Sequence, residues 1–196
     1  MRDEETGSYW QQVSGKAISG PLKGATLELV STDEIAFSLW KREAPRGMVL
    51  QISGEDSKHY EKDWEEKLKK HPTVLSFKDF DIAPRELIVG MSINGSDRAY
   101  SVQKVIDEKV VHDKVGGVNV IVVAGPDNKS IRGFRSENIE YFRKEGDPWL
   151  LMDSANNQSW DFRGCSGERC LQQVPLLKDF WFDWRQYHPQ TTVYNK

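Results

Sequence analysis

Residues 84–117, PRELIVGMSINGSDRAYSVQKVIDEKVVHDKVGG, decide how the rest of the chain is read. Leu87, Val89, Met91 and Ile93 alternate with Ile88, Gly90 and Ser92, which is the period of a strand. Asn94-Gly95 follows at once, and this dipeptide tolerates the positive φ that a type I′ turn requires at both central positions. The spacing predicts a hairpin with its return strand over 98–102. A helical turn or two over 102–108 and an extended piece at Val110–Asp113 come next. Gly116-Gly117 then punctuates, and VNVIVVA (118–124) is the most β-prone run in the chain.

On the N-terminal side, YEKDWEEKLKK (60–70) places Tyr60, Trp64 and Leu68 on one helical face. Glu65–Lys69 and Glu66–Lys70 add i,i+4 charge pairs, and Pro72 stops the helix, expected over 58–70. TVLSF (73–77) reads as a strand. Further upstream, ATLELV (25–30) alternates as a strand, and Ser31 with Glu34 forms a capping box. A helix over 32–43 follows, with Ile35–Leu39 and Ala36–Trp40 at i,i+4; Pro45 ends it and MVLQI (48–52) returns to strand. On the C-terminal side a turn at Gly125–Asn128 leads to strands near 130–135 and 149–152, with Glu137–Glu145 between them as a charged, exposed loop. A last helix is expected over 178–187.

The two ends of the chain resemble each other. Asp3 precedes Trp10 by seven residues, and Asp153 precedes Trp160 by the same interval. Phe37, Trp40, Pro45 and Val49 are matched in spacing by Trp181, Trp184, Pro189 and Val193. Shorter Gly-rich turns in the second copy account for the offset between the two sets. Such a regular set of anchors implies a duplicated module of strand, turn, strand, helix and strand.

Composition narrows the function classes. A chain of 196 residues with a net charge of −3 lacks the basic excess that makes nucleic acid a main partner. No apolar run reaches the roughly 20 residues needed to span a bilayer, and the acidic start MRDEETGSYW is not a signal peptide. Seven Trp, six Tyr and eight Phe supply either core packing or an aromatic platform for sugar or base stacking. The two cysteines, Cys165 and Cys170 in GCSGERC, lack the spacing and the neighbours of a zinc set. A local disulfide and two free thiols both fit them. No metal or other cofactor is expected.

Residues 3–24 and 84–117 together resemble a bacterial and archaeal family, the domain of unknown function DUF3179. Asp3, Thr6, Gly7, Ser8, Trp10, Gln12, Gly15, Ala17, Gly20, Leu22 and Gly24 follow one of its patterns. Pro84, Glu86, Val89, Gly90, Asn94, Gly95, Ala99 and Tyr100 follow another, and Val111, His112, Asp113, Val115, Gly116 and Gly117 a third. The resemblance implies that the chain opens inside a first module (1–52), crosses a helical linker (53–83) and completes a divergent second module (84–196). The missing first half would lie upstream, and an unpaired sheet edge there would be met by that half-module or by a second copy in a homodimer. The resemblance also implies an extracytoplasmic setting. The family's C-P-x-C-G segment, a candidate thiol site, aligns with Gly125, Pro126, Asp127, Asn128 and Lys129, so both cysteines are lost; a family His aligns with Glu108.

Ser8, Gln11, Gln12 and Asp113 are the candidate catalytic residues, and Trp10, Gln12 and Tyr100 the candidate ligand contacts. His112 and Asp113 are adjacent on a strand and therefore face opposite ways, a poor acid–base pair. His59, His71 and His188 read as surface residues. The expected architecture is mainly β, with α+β as the alternative: a sandwich or barrel of strand-rich modules with short peripheral helices. The expected function is a non-catalytic binding or structural module of the cell envelope. The alternatives are a metal-binding, redox or hydrolytic enzyme with its site between the modules, and a carbohydrate binder using exposed Trp. A small-molecule or glycan ligand is not specified by the sequence.

Overall fold

The computed structural model describes residues 1–195 except 29, 31, 74, 76, 78–80, 138, 139, 145 and 147, and at 65 and 69 the backbone only. The first part of the chain holds β1 (Tyr9–Trp10), β2 (Ala17–Ser19), α1 (Phe37–Glu43) and α2 (Trp64–Lys70). The hairpin is β3 (Leu87–Ile93) and β4 (Ser96–Ser101), followed by α3 (Val102–Glu108), β5 (Val110–Val115), β6 (Val118–Ala124) and β7 (Ile131–Arg135). Next come β8 (Tyr141–Lys144), β9 (Leu150–Asp153), β10 (Ser159–Trp160), β11 (Cys165–Ser166) and β12 (Arg169–Cys170). The chain closes with β13 (Gln173–Val174), β14 (Leu177–Phe180), α4 (Trp181–Tyr187) and β15 (Thr192–Val193).

The hairpin turns as its sequence requires, with Asn94 at φ 50° and Gly95 at φ 75°. β6 explains the layering. Its Val120 and Val122 enter one hydrophobic cluster, while Ile121 and Val123 enter another. A strand buried on both faces reads as an unbroken apolar run, which is what VNVIVVA is. Val89, Met91, Ile93 and Tyr100 of the β3–β4 sheet fill the first cluster. Tyr141, Leu151 and Trp160 fill the second. On the outer side of the hairpin, Ile88 and Ala99 meet Trp181, Trp184 and Val193. The result is a stack: α4, the sheet β14-β3-β4-β15, the sheet β13-β7-β6-β5, and the sheet β10-β9-β8. Strand exceeds helix, 34% to 16%, so the protein is mainly β, and the described residues form no closed barrel.

Gly90 is fixed by close approach. A Cβ there would stand 2.3 Å from Cζ3 of Trp184, so only glycine lets α4 lie on β3. Trp184 is held in turn by its Nε1–H donated to Thr191 Oγ1 at 2.9 Å and by stacking on His188 at 3.6 Å. His188 is thus half-buried and packed, not the surface residue its isolation in sequence suggests.

Several expected elements differ. The expected strand over 25–30 is a single bridge, Lys16 to Thr26, among the described residues, and Leu27 and Val30 are 50% and 71% exposed. MVLQI (48–52) forms no strand: Met48 and Leu50 are 94% and 92% exposed. Strand propensity is not enough, since a strand also needs a neighbour to bond: 25–30 meets residues 15–17 only around Thr26, and among the described residues no strand pairs with 48–52. α1 starts at Phe37 rather than 32, with Ala36 at its N-cap and no side-chain cap; Ser31 of the expected capping box lies outside the described residues. The helix expected over 58–70 splits into a short 3₁₀ turn, Asp56–His59, and α2. Tyr60 and Trp64 are 69% and 56% exposed there, so the apolar face predicted for it is not buried. TVLSF (73–77) and the Glu65–Lys69 pair fall on residues that are not fully described. Residues 141–144, expected in an exposed loop, form β8, because Tyr141 anchors it in the second cluster.

The two ends share geometry as well as spacing. α1 and α4 each span 7 residues, and their C-caps have φ/ψ of −125°/67° at Ala44 and −121°/68° at His188. Asp3 N–H to Ser8 O and Asp153 N–H to Gln158 O are both 3.0 Å. The first part is fastened to the central sheet by Arg132, which is 4% exposed. Its guanidinium donates to Glu43 at 2.9 and 2.8 Å and to Asp33 at 2.6 Å, and lies 4.6 Å from the Phe162 ring centroid.

Candidate functional site

The residues proposed from sequence do not converge on one place. Ser8 is fully buried; its Oγ accepts the Leu22 N–H at 3.1 Å and lies 2.7 Å from Thr6 Oγ1, so it pins a loop. Asp113 accepts from Arg98 Nε at 2.7 Å and from the Tyr100 hydroxyl at 3.1 Å. Tyr100 is fully buried and offers no surface to a ligand; burial, together with the Asp113 charge, raises its pKa far above the ordinary value. His112 faces the other way, its Nε2 accepting the Tyr141 N–H at 2.9 Å. At the positions of the family's C-P-x-C-G segment, Asp127 accepts from Lys129 N–H, Ser130 N–H and the Ser130 hydroxyl, which makes the segment a closed turn. Cys165 and Cys170 are joined as a disulfide across the β11–β12 ribbon. Among the described residues no group of three His, Cys, Asp or Glu side chains is placed to hold a metal ion.

Trp10, Gln11 and Gln12 do come together, around a pair of acids that the sequence reading passed over. Asp179 lies in β14, paired with Ile88 of β3, and Asp183 lies in the first turn of α4. The strand-to-helix junction brings the two carboxyls into hydrogen-bond contact. Asp179 also accepts the Phe180 N–H at 2.7 Å. Its pKa is pushed up from 3.8 to about 6, first by burial, against the Phe180 hydrogen bond, and then by the charge of Asp183 and the hydrogen bond to it. Burial also raises Asp183, and the hydrogen bond from Asp179 opposes that rise. Below about pH 6 these shifts favour a proton held between the two carboxyls.

The pair forms a wall common to two hollows. One, of about 610 Å³, is floored by Trp64, Leu68, Leu87, Phe180 and Phe182. Arg85 closes it: its Nε donates to His71 O at 2.7 Å, and its guanidinium sits 5.0 Å from the Phe182 and 5.5 Å from the Phe180 ring centroid. The other, of about 450 Å³, is lined by Trp10, Gln11, Gln12, Val13, Ile18 and Tyr187. Lys178, Asp179 and Asp183 face both, and Lys178 Nζ is paired with Glu34 at 2.8 Å. Trp10 is held in place by donating its Nε1–H to Asp3 at 2.7 Å, and that bond, with the Thr6 N–H, lowers the Asp3 pKa to about 2. An aromatic hollow and a polar hollow thus adjoin at the acid pair.

Residues 1–191 match the family model described as a protein of unknown function, DUF3179. The chain belongs to the DUF3179 family. No curated protein and no solved structure matches it. Family membership fixes no activity for this DUF3179 chain, so the chemistry of the cleft has to carry the functional reading.

The signal in sequence was DFWFD (179–183): two acids at i,i+4 with three aromatic residues between them. Acids embedded in an apolar run are drawn out of water when the run is buried. The Trp platform of the carbohydrate reading is not formed. Among the seven Trp only Trp64 is largely exposed, and Trp10, Trp160, Trp181 and Trp184 are at most 8% exposed. None of the described helices is long and apolar enough to cross a membrane.

Proposed function

We propose that this DUF3179 chain is a non-catalytic binding module whose small ligand lies across the cleft and meets the Asp179–Asp183 pair. The position of that pair, as a wall shared by both hollows, carries the reading. A ligand with an apolar or aromatic part would lie on Phe180, Phe182 and Trp64, with an amine or hydroxyl directed at the carboxyls and a polar end at Gln11 and Gln12. The described lining residues include no Ser, Thr, Cys or His, which favours binding over hydroxyl- or thiol-based nucleophilic chemistry. The disulfide supports an oxidising setting such as the cell envelope, since such bonds are rare where thiols are kept reduced. The matched geometry at the two chain ends supports a duplicated module, with 53–83 as the linker between halves. The exposed residues Met48, Val49 and Leu50 support self-association through that strip.

A second reading has an observation behind it. One protonated and one ionised carboxyl are the two states that acid–base catalysis needs, so the pair supports a hydrolytic role on a ligand bound in the same cleft.

Phenethylamine is a suitable probe, since it joins an aromatic ring to an ammonium group. Titrating it into ¹⁵N-labelled protein is expected to shift the amide signals of Phe180, Asp183 and Gln12, and Asp183→Asn is expected to weaken the effect about tenfold. Unmoved signals at those residues, or equal shifts in Asp183→Asn, would overturn the proposal. Native mass spectrometry of protein from its own host supports it if a small molecule is retained and then lost on denaturation. Turnover of that molecule, abolished in Asp179→Asn, would replace binding by the second reading.

A further inference from the structure

The helix-and-turn unit of α1 is built like that of α4. Ala44 N–H to Trp40 O is 2.8 Å and His188 N–H to Trp184 O is 2.9 Å; Gly47 N–H to Ala44 O is 2.8 Å and Thr191 N–H to His188 O is 2.9 Å. The N-caps Ala36 and Phe180 are both extended, at φ/ψ of −60°/138° and −80°/144°. A Cβ on Gly47 would stand 2.4 Å from Cζ2 of Trp40, and its counterpart Thr191 bonds Nε1 of Trp184, so both indoles turn the same edge to the turn. Glu34 and Lys178, separated by the 144 residues that also separate Trp40 from Trp184, bond each other at 2.8 Å. Contact between counterparts is expected of two like units packed about a two-fold axis.

The two units differ in what covers them. On α4 lies the β3–β4 hairpin: Ile88 and Ala99 meet Trp181, Trp184 and Val193, and Gly90, directly opposite Ala99, lies against the Trp184 ring. β14 and β15 pair with the two edges of the hairpin, β15 in parallel with β4, and Tyr194 N–H donates to Ala99 O at 2.9 Å. Trp181, Val193 and Tyr194 are therefore 0%, 9% and 5% exposed. Their counterparts on the α1 side, Phe37, Val49 and Leu50, are 61%, 61% and 92% exposed. Among the described residues no strand pairs with 48–52. An apolar face and an unpaired segment are thus open together at the place where the α4 unit holds a hairpin.

A second copy cannot supply that hairpin from its own β3–β4, because both faces and both edges of it are taken up within its own chain. We propose, resting on the duplicated-module reading, that Phe37, Trp40 and residues 48–50 seat a β-hairpin brought by a partner polypeptide. Its return strand pairs in parallel with 48–50, as β4 pairs with β15. A small cross-strand pair, glycine facing alanine, lies on the Trp40 ring, because a Cβ at the glycine position of the α4 unit would stand 2.3 Å from the indole. Main-chain pairing holds such a strand, and the small pair selects it.

The probe is a cyclic peptide of residues 86–101, closed at its open end because an isolated hairpin is marginal in water. Added to the full ¹⁵N-labelled chain, it is expected to shift the Trp40 indole and the amides of Phe37 and Met48–Leu50 in a saturable way, and to slow hydrogen exchange at 48–50. The same peptide with Gly90→Val is expected to bind about tenfold more weakly. Val49→Asp in the protein, at an exposed position, is expected to leave the melting temperature unchanged and to abolish the shifts. Unmoved signals at 48–50 with an excess of folded peptide would overturn the proposal. So would equal binding of the Gly90→Val peptide, or shifts confined to α4 and β15, where the peptide only exchanges with β3–β4. A dimer of the chain alone in sedimentation, dissolved by Val49→Asp, would give the face to a second copy instead. Helical shifts over 37–43 without docking would sink the docking alone, whereas their absence would sink the duplicated-module reading beneath it.

Discussion

Replacing Asp179 by Asn tests the shared proton directly. Asn keeps the size of the side chain, its carbonyl can still accept the Phe180 N–H, and its amide can donate to Asp183 as the protonated carboxyl does. The sign follows from linkage. The folded carboxyl has a pKa of about 6 against the ordinary 3.8, so the native state holds a proton more tightly than the unfolded chain between those values. The stability this supplies is fully present below the ordinary value and is lost as the pH rises through about 6. Taken at full weight the shift corresponds to about 3 kcal/mol. The side chain is only half-buried, so solvent screening reduces this to about 1–2 kcal/mol. Asp179→Asn, which has nothing to ionise there, should therefore gain on wild type by about 1–2 kcal/mol between about pH 4 and about pH 8. Urea denaturation of both proteins at the two pH values measures it. A stability difference that is the same at both would refute the shared-proton account of the pair.

Gly90→Ala puts a methyl 2.3 Å from the Trp184 ring, and Trp184, bonded to Thr191 and stacked on His188, has no room to move; about 2–3 kcal/mol of destabilisation is expected in a thermal or urea melt. Arg132→Ala leaves Glu43 of α1, and Asp33 ahead of it, without their cation, and should cost about 3–5 kcal/mol, with proteolysis between α1 and α2 rising in parallel. Cys165→Ser with Cys170→Ser opens a loop of sequence separation 5, for which chain entropy gives a loss of about 2 kcal/mol, read as a lowered melting temperature that reducing agent does not lower further.

The central layers were legible because their signals are local. The Asn94-Gly95 turn, the alternation of β3 and the unbroken apolar run of β6 each state both a strand and the number of faces it buries. The segments 25–30 and 48–52 also read as strands, yet pairing is a property of the neighbour, and sequence does not announce that Met48 and Leu50 pair with no strand among the described residues. β8 shows the reverse: a charged stretch becomes a strand because Tyr141 has a cluster to enter. In the site, Trp10, Gln11 and Gln12 stood out by their pattern. Asp179 and Asp183 did not, because two acids near a helix start ordinarily read as solvated. Only the packing of β14 and α4 against the Trp10–Gln12 loop takes them partly out of water.

The corresponding residues at the other end of the chain set the acid pair against an aliphatic one. By the spacing that aligns Trp40 with Trp184 and Pro45 with Pro189, Ile35 and Leu39 stand where Asp179 and Asp183 stand. The two helices have the same length and the same C-cap geometry, so a helix of this kind forms with either pair. Leu39 is 4% exposed and packs as an aliphatic residue should. An apolar pair thus suffices at the start of α1, whereas at α4 burial raises the pKa of both acids, which lose solvation there. Packing alone would favour Ile and Leu at both ends. The second junction differs in bordering a hollow on each side, and under the proposed binding role the acids would supply what an aliphatic pair cannot: a proton to give and a charge to offer to a ligand.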